Sequence, residues 1–245
     1  MLLDAFTLAA VALLGLGAAV IGAVGGFGTG IILTAALTPL IGVKALVPVL
    51  AVAGVIINSG RFWFYRKQLD RRTFLIVLAS ALPFLVLGTW IYSILDARTL
   101  GVVLGLMIIA FVPMRRLLKK RNIVIGTGGL VTGGGLFGLA SGVATGTGVI
   151  LVSLLLGAGL AGPAVLATDA LVTIALDFSK ALLFGRFDLL DGEHFFAGVV
   201  IGVASIPGSA LGAWLVQRMH AHLHVLFMEG LILFGGGFML WHSWS

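Results

Sequence analysis

The sequence predicts an all-α polytopic membrane protein of two homologous repeats, inverted relative to each other, with about ten helical segments. Three observations predict it. The 245-residue chain is 60% hydrophobic and only 10% charged, with mean hydropathy +1.20, a balance foreign to soluble domains. Its apolar runs exceed the ~20 residues that cross a bilayer. One motif is duplicated: Gly28-Thr29-Gly30-Ile31-Ile32-Leu33 returns as Gly146-Thr147-Gly148-Val149-Ile150-Leu151, 118 residues later (146 minus 28). Leu82-Pro83 followed by Leu87-Gly88-Thr89-Trp90 returns as Ile206-Pro207 followed by Leu211-Gly212-Ala213-Trp214, at offset 124 (207 minus 83).

The elements follow in order. Phe6 to Ile41 is one apolar stretch, broken at Gly25-Gly26-Phe27-Gly28-Thr29-Gly30. As a single helix it would be about 54 Å long, against a hydrocarbon core of about 30 Å. It is therefore expected to fold back at the glycines as two helices or half-helices. Ala45 to Tyr65 and Phe74 to Leu95 read as spans, and Thr99 to Met114 as a short one. Ile123 to Gly159 is a second over-long stretch with a glycine-dense middle. Pro163 to Phe184, His194 to Val216 and Leu223 to Trp241 complete the second half. Residues 1–114 form the first repeat, 115–122 a basic linker and 123–245 the second repeat. Trp63, Trp90, Trp214, Trp241 and Trp244 lie near segment ends, where interfacial anchors belong.

A fold-back in each long stretch leaves an odd number of crossings per half, which inverts the repeats. The alternative takes each long stretch as one tilted span, giving eight spans and parallel repeats. Nine of the fifteen Lys and Arg sit in two segments, Arg66, Lys67, Arg71 and Arg72, then Arg115, Arg116, Lys119, Lys120 and Arg121. The positive-inside rule places both on the cytoplasmic side. Inversion puts Arg218 inside and Arg186 outside, and the parallel arrangement reverses them. Asp188, Asp191 and Glu193 contribute little to this rule.

Several function classes fall away. The net charge of +6 is accounted for by topology-setting loops, so nucleic acid is not an expected partner. No cysteine is present, which removes disulfides and thiolate chemistry. The chain opens Met-Leu-Leu-Asp, without a basic n-region, so the first helix is expected to be retained. His220, His222 and His224 align with Asp96, Arg98 and Leu100, a plain inter-span turn, so no metal site is expected there. No cofactor is expected. Ser141-Gly142 has the look of an intramembrane hydrolase nucleophile, but no intramembrane histidine is placed as its base. His194 lies at a segment start.

The candidate binding residues come from matched positions in the two halves. Glycine tolerates φ > 0 and lets a ligand approach bare backbone. A helix starting after such a break points its free N–H groups and positive dipole end at the gap. Two such ends meeting near the midplane make an anion site. This nominates Gly28, Thr29 and Gly30 with Thr145, Gly146, Thr147 and Gly148. The competing explanation is helix packing through small residues, which suits Gly134-Gly135, Gly138 and Gly142. Asn58-Ser59-Gly60-Arg61 aligns with Asp177-Phe178-Ser179-Lys180 at offset 119 (177 minus 58). Each places a polar residue three before a cation, on one helix face. Asn58, Ser59, Arg61, Ser179 and Lys180 are thus substrate-binding candidates, unless the two cations snorkel to the interface. Asp169 and Asp177 are candidates for a coupling ion, proton or sodium. Glu229 ranks below them.

These motifs resemble the TauE/SafE family of membrane permeases, the sulfite exporters. The resemblance covers nearly the full length. It rests on Gly25-Gly26-Phe27-Gly28-Thr29-Gly30-Ile31-Ile32-Leu33, on its echo Ala144-Thr145-Gly146-Thr147-Gly148-Val149-Ile150-Leu151, on Lys180-Ala181-Leu182-Leu183-Phe184-Gly185-Arg186-Phe187-Asp188, and on the paired proline–glycine–tryptophan segments. The second copy departs from the first, with Ala144-Thr145 standing where the first has Gly26-Phe27. The resemblance implies transport of sulfite, sulfoacetate or a related organosulfonate across the bacterial cytoplasmic membrane. The chain is accordingly expected to be a multi-pass secondary transporter and not an enzyme, working by alternating access on a small anionic substrate. A homodimer is one assembly such a protein can adopt. A passive anion channel built from the same repeats is the alternative.

Overall fold

The computed structural model describes residues 5–25, 28–120 and 125–216, with isolated helical positions 230, 233, 237 and 241. The expected features at Gly26-Phe27, Arg121, Arg218, His220, His222, His224, Glu229 and Trp244 lie outside the described residues, as does most of the segment from Leu223 to Trp241. Within the described residues every regular element is helical. The order is α1 (Ala5–Gly25), α2 (Gly28–Ile41), α3 (Val43–Tyr65), α4 (Arg71–Ile94), α5 (Ala97–Lys120), α6 (Thr127–Val143), α7 (Gly148–Gly157), α8 (Pro163–Arg186) and α9 (Gly192–Val216), with a 3-10 turn at Arg66–Gln68.

Local chemistry sets these boundaries. Both over-long stretches are interrupted. The first divides into α1 and α2, the second into α6 and α7 around Ala144–Thr147, where Gly146 takes φ 78°. Gly42 at φ 76° ends α2 and admits α3. Asp70 caps α4 by accepting from the Thr73 N–H at 2.7 Å, one of the bonds a helix start otherwise lacks. Pro163, lacking an N–H, opens α8 directly after Gly162 at φ 52°, as proline at a first helical position should. One boundary differs from expectation. The segment 115–122 does not begin as a linker, because α5 continues to Lys120. Arg115, Arg116, Lys119 and Lys120 fall within this helix, and Lys and Arg are good helix formers.

Among the described residues, three helical segments are long and apolar enough to cross a membrane by length and composition: Val43–Gln68, Arg71–Ile94 and Gly192–Leu211. The 24-residue α8 is long enough too, but carries Asp169, Asp177, Lys180 and Arg186. Outward surfaces are apolar, with Trp63, Phe64, Trp90, Phe178, Trp214 and Trp241 among the exposed side chains.

Contacts fix how the helices run. Arg61 of α3 meets Asp169 of α8, and Gly54 of α3 meets Asp177. The two numbers in each pair have nearly the same sum, so α3 and α8 cross antiparallel. Tyr92 and Phe184 stack edge-on at 5.1 Å, and the Tyr92 hydroxyl donates to the Val43 carbonyl at 2.9 Å. The start of α3 therefore lies beside the ends of α4 and α8. At the other end of the bundle, Gln68–Asp70 borders Ile125–Thr127 and Ala158–Ala161. The Asp70 N–H donates to Thr168 Oγ1 at 3.3 Å. The cations flanking the α3–α4 turn and the chain entering α6 thus share one end, and Asp191 lies some 36 Å away along α8.

Small residues bring helices together. A Cβ on Gly138 would stand 2.1 Å from the Ala81 carbonyl oxygen, and one on Gly142 would stand 2.6 Å from that of Leu85. Gly134, Gly138 and Gly142 seat α6 on α4, with both helices running the same way. The matching partners α1 and α9 also run the same way. Gly208 approaches the Leu16 carbonyl, and the Ser205 hydroxyl donates to Gly15 at 3.3 Å. These close approaches are the packing use of glycine.

Candidate functional site

The two helix breaks meet in the middle of the bundle. A Cβ on Gly30 would lie 3.5 Å from the Gly146 nitrogen and 3.7 Å from the Thr145 Cβ. The Thr34 and Thr145 hydroxyls hydrogen-bond at 2.6 Å, and Thr34 donates to the Gly30 carbonyl at 2.7 Å. The first turn of α2 and the break before α7 are thereby tied together. From this meeting point α2 leads to the end that holds the start of α3. α7 leads to the opposite end, where the Ile125 N–H donates to the Gly157 carbonyl at 2.7 Å.

Beside the paired breaks is a cavity of about 170 Å³, enclosed by α2, α3, α6, α7 and α8. Thr29, Gly30, Thr145, Gly146, Thr147 and Gly148 line one side. Asn58, Arg61, Asp169, Thr173, Asp177 and Lys180 line the other. Arg61 bonds Asp169 and, through Nη2 at 2.8 Å, the Asn58 amide oxygen. Lys180 pairs with Asp177 at 2.7 Å on one helix face. Lys180 is 3% exposed and Asp169 4%, and each lies more than a turn from either end of α8. Arg61 and Lys180 both line the cavity. Two cations and two carboxylates make the set formally neutral. Arg61 Nε and Asp169 Oδ1 are buried and have no hydrogen-bond partner among the described residues. Buried polar atoms are nearly always paired, so these two are the exceptions at the cavity.

Of the nominated residues, two are turned away. The Ser59 hydroxyl donates to the Val55 carbonyl at 2.6 Å, and that of Ser179 to Ala175 at 2.7 Å. One helical residue is a turn of about 100°, enough to move each serine off the face its neighbour presents. Gly28 is the first residue of α2. The cavity also recruits residues not nominated. Gly54 makes room for Asp177, since a Cβ there would fall 2.1 Å from Oδ2. Thr173, Ser141 and Phe137 are further wall residues. A signal existed for two of them. Gly54, Asn58 and Arg61 share one helical face, as do Asp169, Thr173, Asp177 and Lys180. Ser141 carried no signal for binding. His194 pairs with Asp191 at 2.8 Å, outside the cavity lining. Among the described residues no three His, Cys, Asp or Glu side chains cluster to hold a metal ion.

A family model described as sulfite exporter TauE/SafE matches residues 11–239, nearly the whole chain, and the protein belongs to that family of membrane transporters. Comparison with curated proteins and with solved structures finds no match.

Proposed function

We propose that this TauE/SafE member is a secondary transporter of small sulfur-containing anions, sulfite, sulfoacetate or a related organosulfonate, working by alternating access. The observation that carries the reading is the convergence of Arg61, Lys180 and the N-terminal ends of α2 and α7 on one cavity. The helix ends supply positive partial charge and N–H donors. Arg61 and Lys180 supply full charges in a place where burial is costly and therefore functional by default. Thr29 and Thr147 add hydroxyls suited to sulfonate oxygens, while the Thr145 hydroxyl is committed to Thr34. Asn58 orients the guanidinium.

The inverted-repeat reading has the same support. α3 and α8 occupy matched places in the two halves and cross antiparallel, whereas parallel repeats related by an axis along the membrane normal would align them. α1–α2 and α6–α7 are then hairpins entering from opposite sides, and their tips meet at the cavity. Rocking one half against the other would open the site to either side in turn. The cation-rich end is assigned to the cytoplasm, the membrane to the bacterial inner membrane, and the direction to export by family likeness.

The test is flux in proteoliposomes loaded with sulfite or sulfoacetate. Saturable counterflow of labelled anion is expected. Conductive flux that neither saturates nor exchanges would make the protein a channel. No flux of any sulfur oxyanion would overturn the reading.

A further inference from the structure

We infer that an anion occupies this cavity together with one proton, held on Asp169 and not on Asp177. The inference rests on the anion-transport reading above and names its coupling partner. The four charged groups sum to zero. An anion that takes Arg61 for itself strips Asp169 of its counter-ion, and a buried carboxylate without one is strongly disfavoured. A proton from solution added to Asp169 as the anion arrives keeps the sum at zero. No other bond changes.

The two carboxylates are not equivalent. Asp177 and Lys180 sit three residues apart on α8 and move as one unit. Asp177 Oδ2 lies against Gly54, so closely that a Cβ there would collide with it. The Asp169 pair bridges α3 and α8, so separating these helices parts it. Among the described residues, Asp169 Oδ1 is a buried carboxylate oxygen without a partner, and Arg61 Nε is a buried donor without one. An anion oxygen accepting from Nε and a proton on Oδ1 would satisfy both atoms at once. A sodium ion at Oδ1 would instead sit beside a guanidinium with a single carboxylate for company. The charged groups around Asp169 are few. Arg61 comes from α3, and Asp177 and Lys180 from α8 itself. The backbone N–H of Asp70, at the start of α4, bonds the neighbouring Thr168, while Arg66 and Lys67 of the 3-10 turn are exposed. Helices α6 and α7 carry no charged residue.

The experiment is calorimetric titration of the purified full-length protein with methanesulfonate, an anion that carries no proton of its own near neutral pH. Repeating it in two buffers of different ionisation enthalpy counts the protons bound. Uptake of about one proton per anion is expected, with affinity falling about tenfold per pH unit where Asp169 is ionised. Asp169→Asn, which is already neutral, should bind with no uptake and a flat pH profile. Asp177→Asn should keep the uptake. Binding by the wild type without proton uptake would overturn this inference and leave anion transport standing. Uptake that persists in Asp169→Asn, or disappears only in Asp177→Asn, would overturn the assignment to Asp169. No binding at any pH would remove the anion site itself, and the inference with it.

Discussion

Arg61 on α3 and Asp169 on α8 form a part-buried ion pair between the two halves of the chain, across 108 residues of sequence. It is one of two cation–carboxylate pairs in the cavity, and the one that ties the halves together. Breaking such a pair on one side leaves a buried charge, which costs about 3–5 kcal/mol when both partners are fully enclosed. The Arg61 side chain is 28% exposed, so Arg61→Gln is expected to lose about 2 kcal/mol. Arg61→Gln combined with Asp169→Asn should regain more than half of that. Thermal unfolding in detergent reads it, and additive losses in the double variant would show that the pair contributes no coupling.

Gly54→Ala should disable the site without touching a charged residue. The added Cβ would collide with Asp177 Oδ2, and Asp177 would carry Lys180 with it. Anion affinity should fall about tenfold or more, a loss of at least about 1.4 kcal/mol. Gly60→Ala, with nothing within 4 Å of its Cβ, is the control and should bind as wild type. Equal affinities in the two variants would remove Gly54 from the site.

The duplicated glycines should respond differently. Gly146 has φ 78°, so alanine there is strained by about 1–2 kcal/mol. Gly30 is helical, and its new Cβ would make only an ordinary contact at 3.5 Å. Gly30→Ala should change stability by less than about 0.5 kcal/mol. Melting temperatures of the two variants compare them directly, and a greater loss for Gly30→Ala would contradict the geometry of the break.

Thr29 and Thr147 line the cavity. Thr29→Val and Thr147→Val should each weaken sulfonate binding by about 1 kcal/mol or more, the scale of a lost hydrogen bond. Thr145→Val instead breaks the 2.6 Å bond to Thr34 and should lower stability by about 1 kcal/mol. Calorimetry and melting curves on the same three proteins separate binding from folding. Wild-type affinity in both Thr29→Val and Thr147→Val would leave the motif a packing device only.

The chain has no cysteine, so single introduced cysteines report topology cleanly. Cysteine at positions 66 and 116 should label from the cytoplasmic side, and at 191 from the outside, as the separation along α8 requires. Labelling of 66 and 191 from the same side would leave the inverted arrangement untenable.

Much of this molecule was legible locally. Apolar runs and their lengths mark where helices lie, because hydropathy and the 1.5 Å rise act residue by residue. The glycine breaks are local as well, and α2 and α7 begin at them. So is the shared helical face of Asn58 with Arg61 and of Asp177 with Lys180. Residues one step away, Ser59 and Ser179, bond their own helix carbonyls, because proximity in sequence is not proximity on the helix surface. The end of α5 was misread for a similar reason, since a run of cations marks a membrane boundary and does not stop a helix.

The sequence by itself determined the helical class, the break points, the duplicated units and a set of polar residues too costly to bury without purpose. Each of these follows from short-range steric and solvation rules. Only the tertiary structure decided who meets whom. It gave Arg61 to Asp169, left Lys180 with Asp177, set Gly54 against a carboxylate, and seated Gly134, Gly138 and Gly142 against α4 while Gly146 shaped the break. A glycine in a packing seam and a glycine in a helix break are the same letter. What separates them is the backbone that crosses in front of each, and that depends on helices more than 40 residues away in the chain.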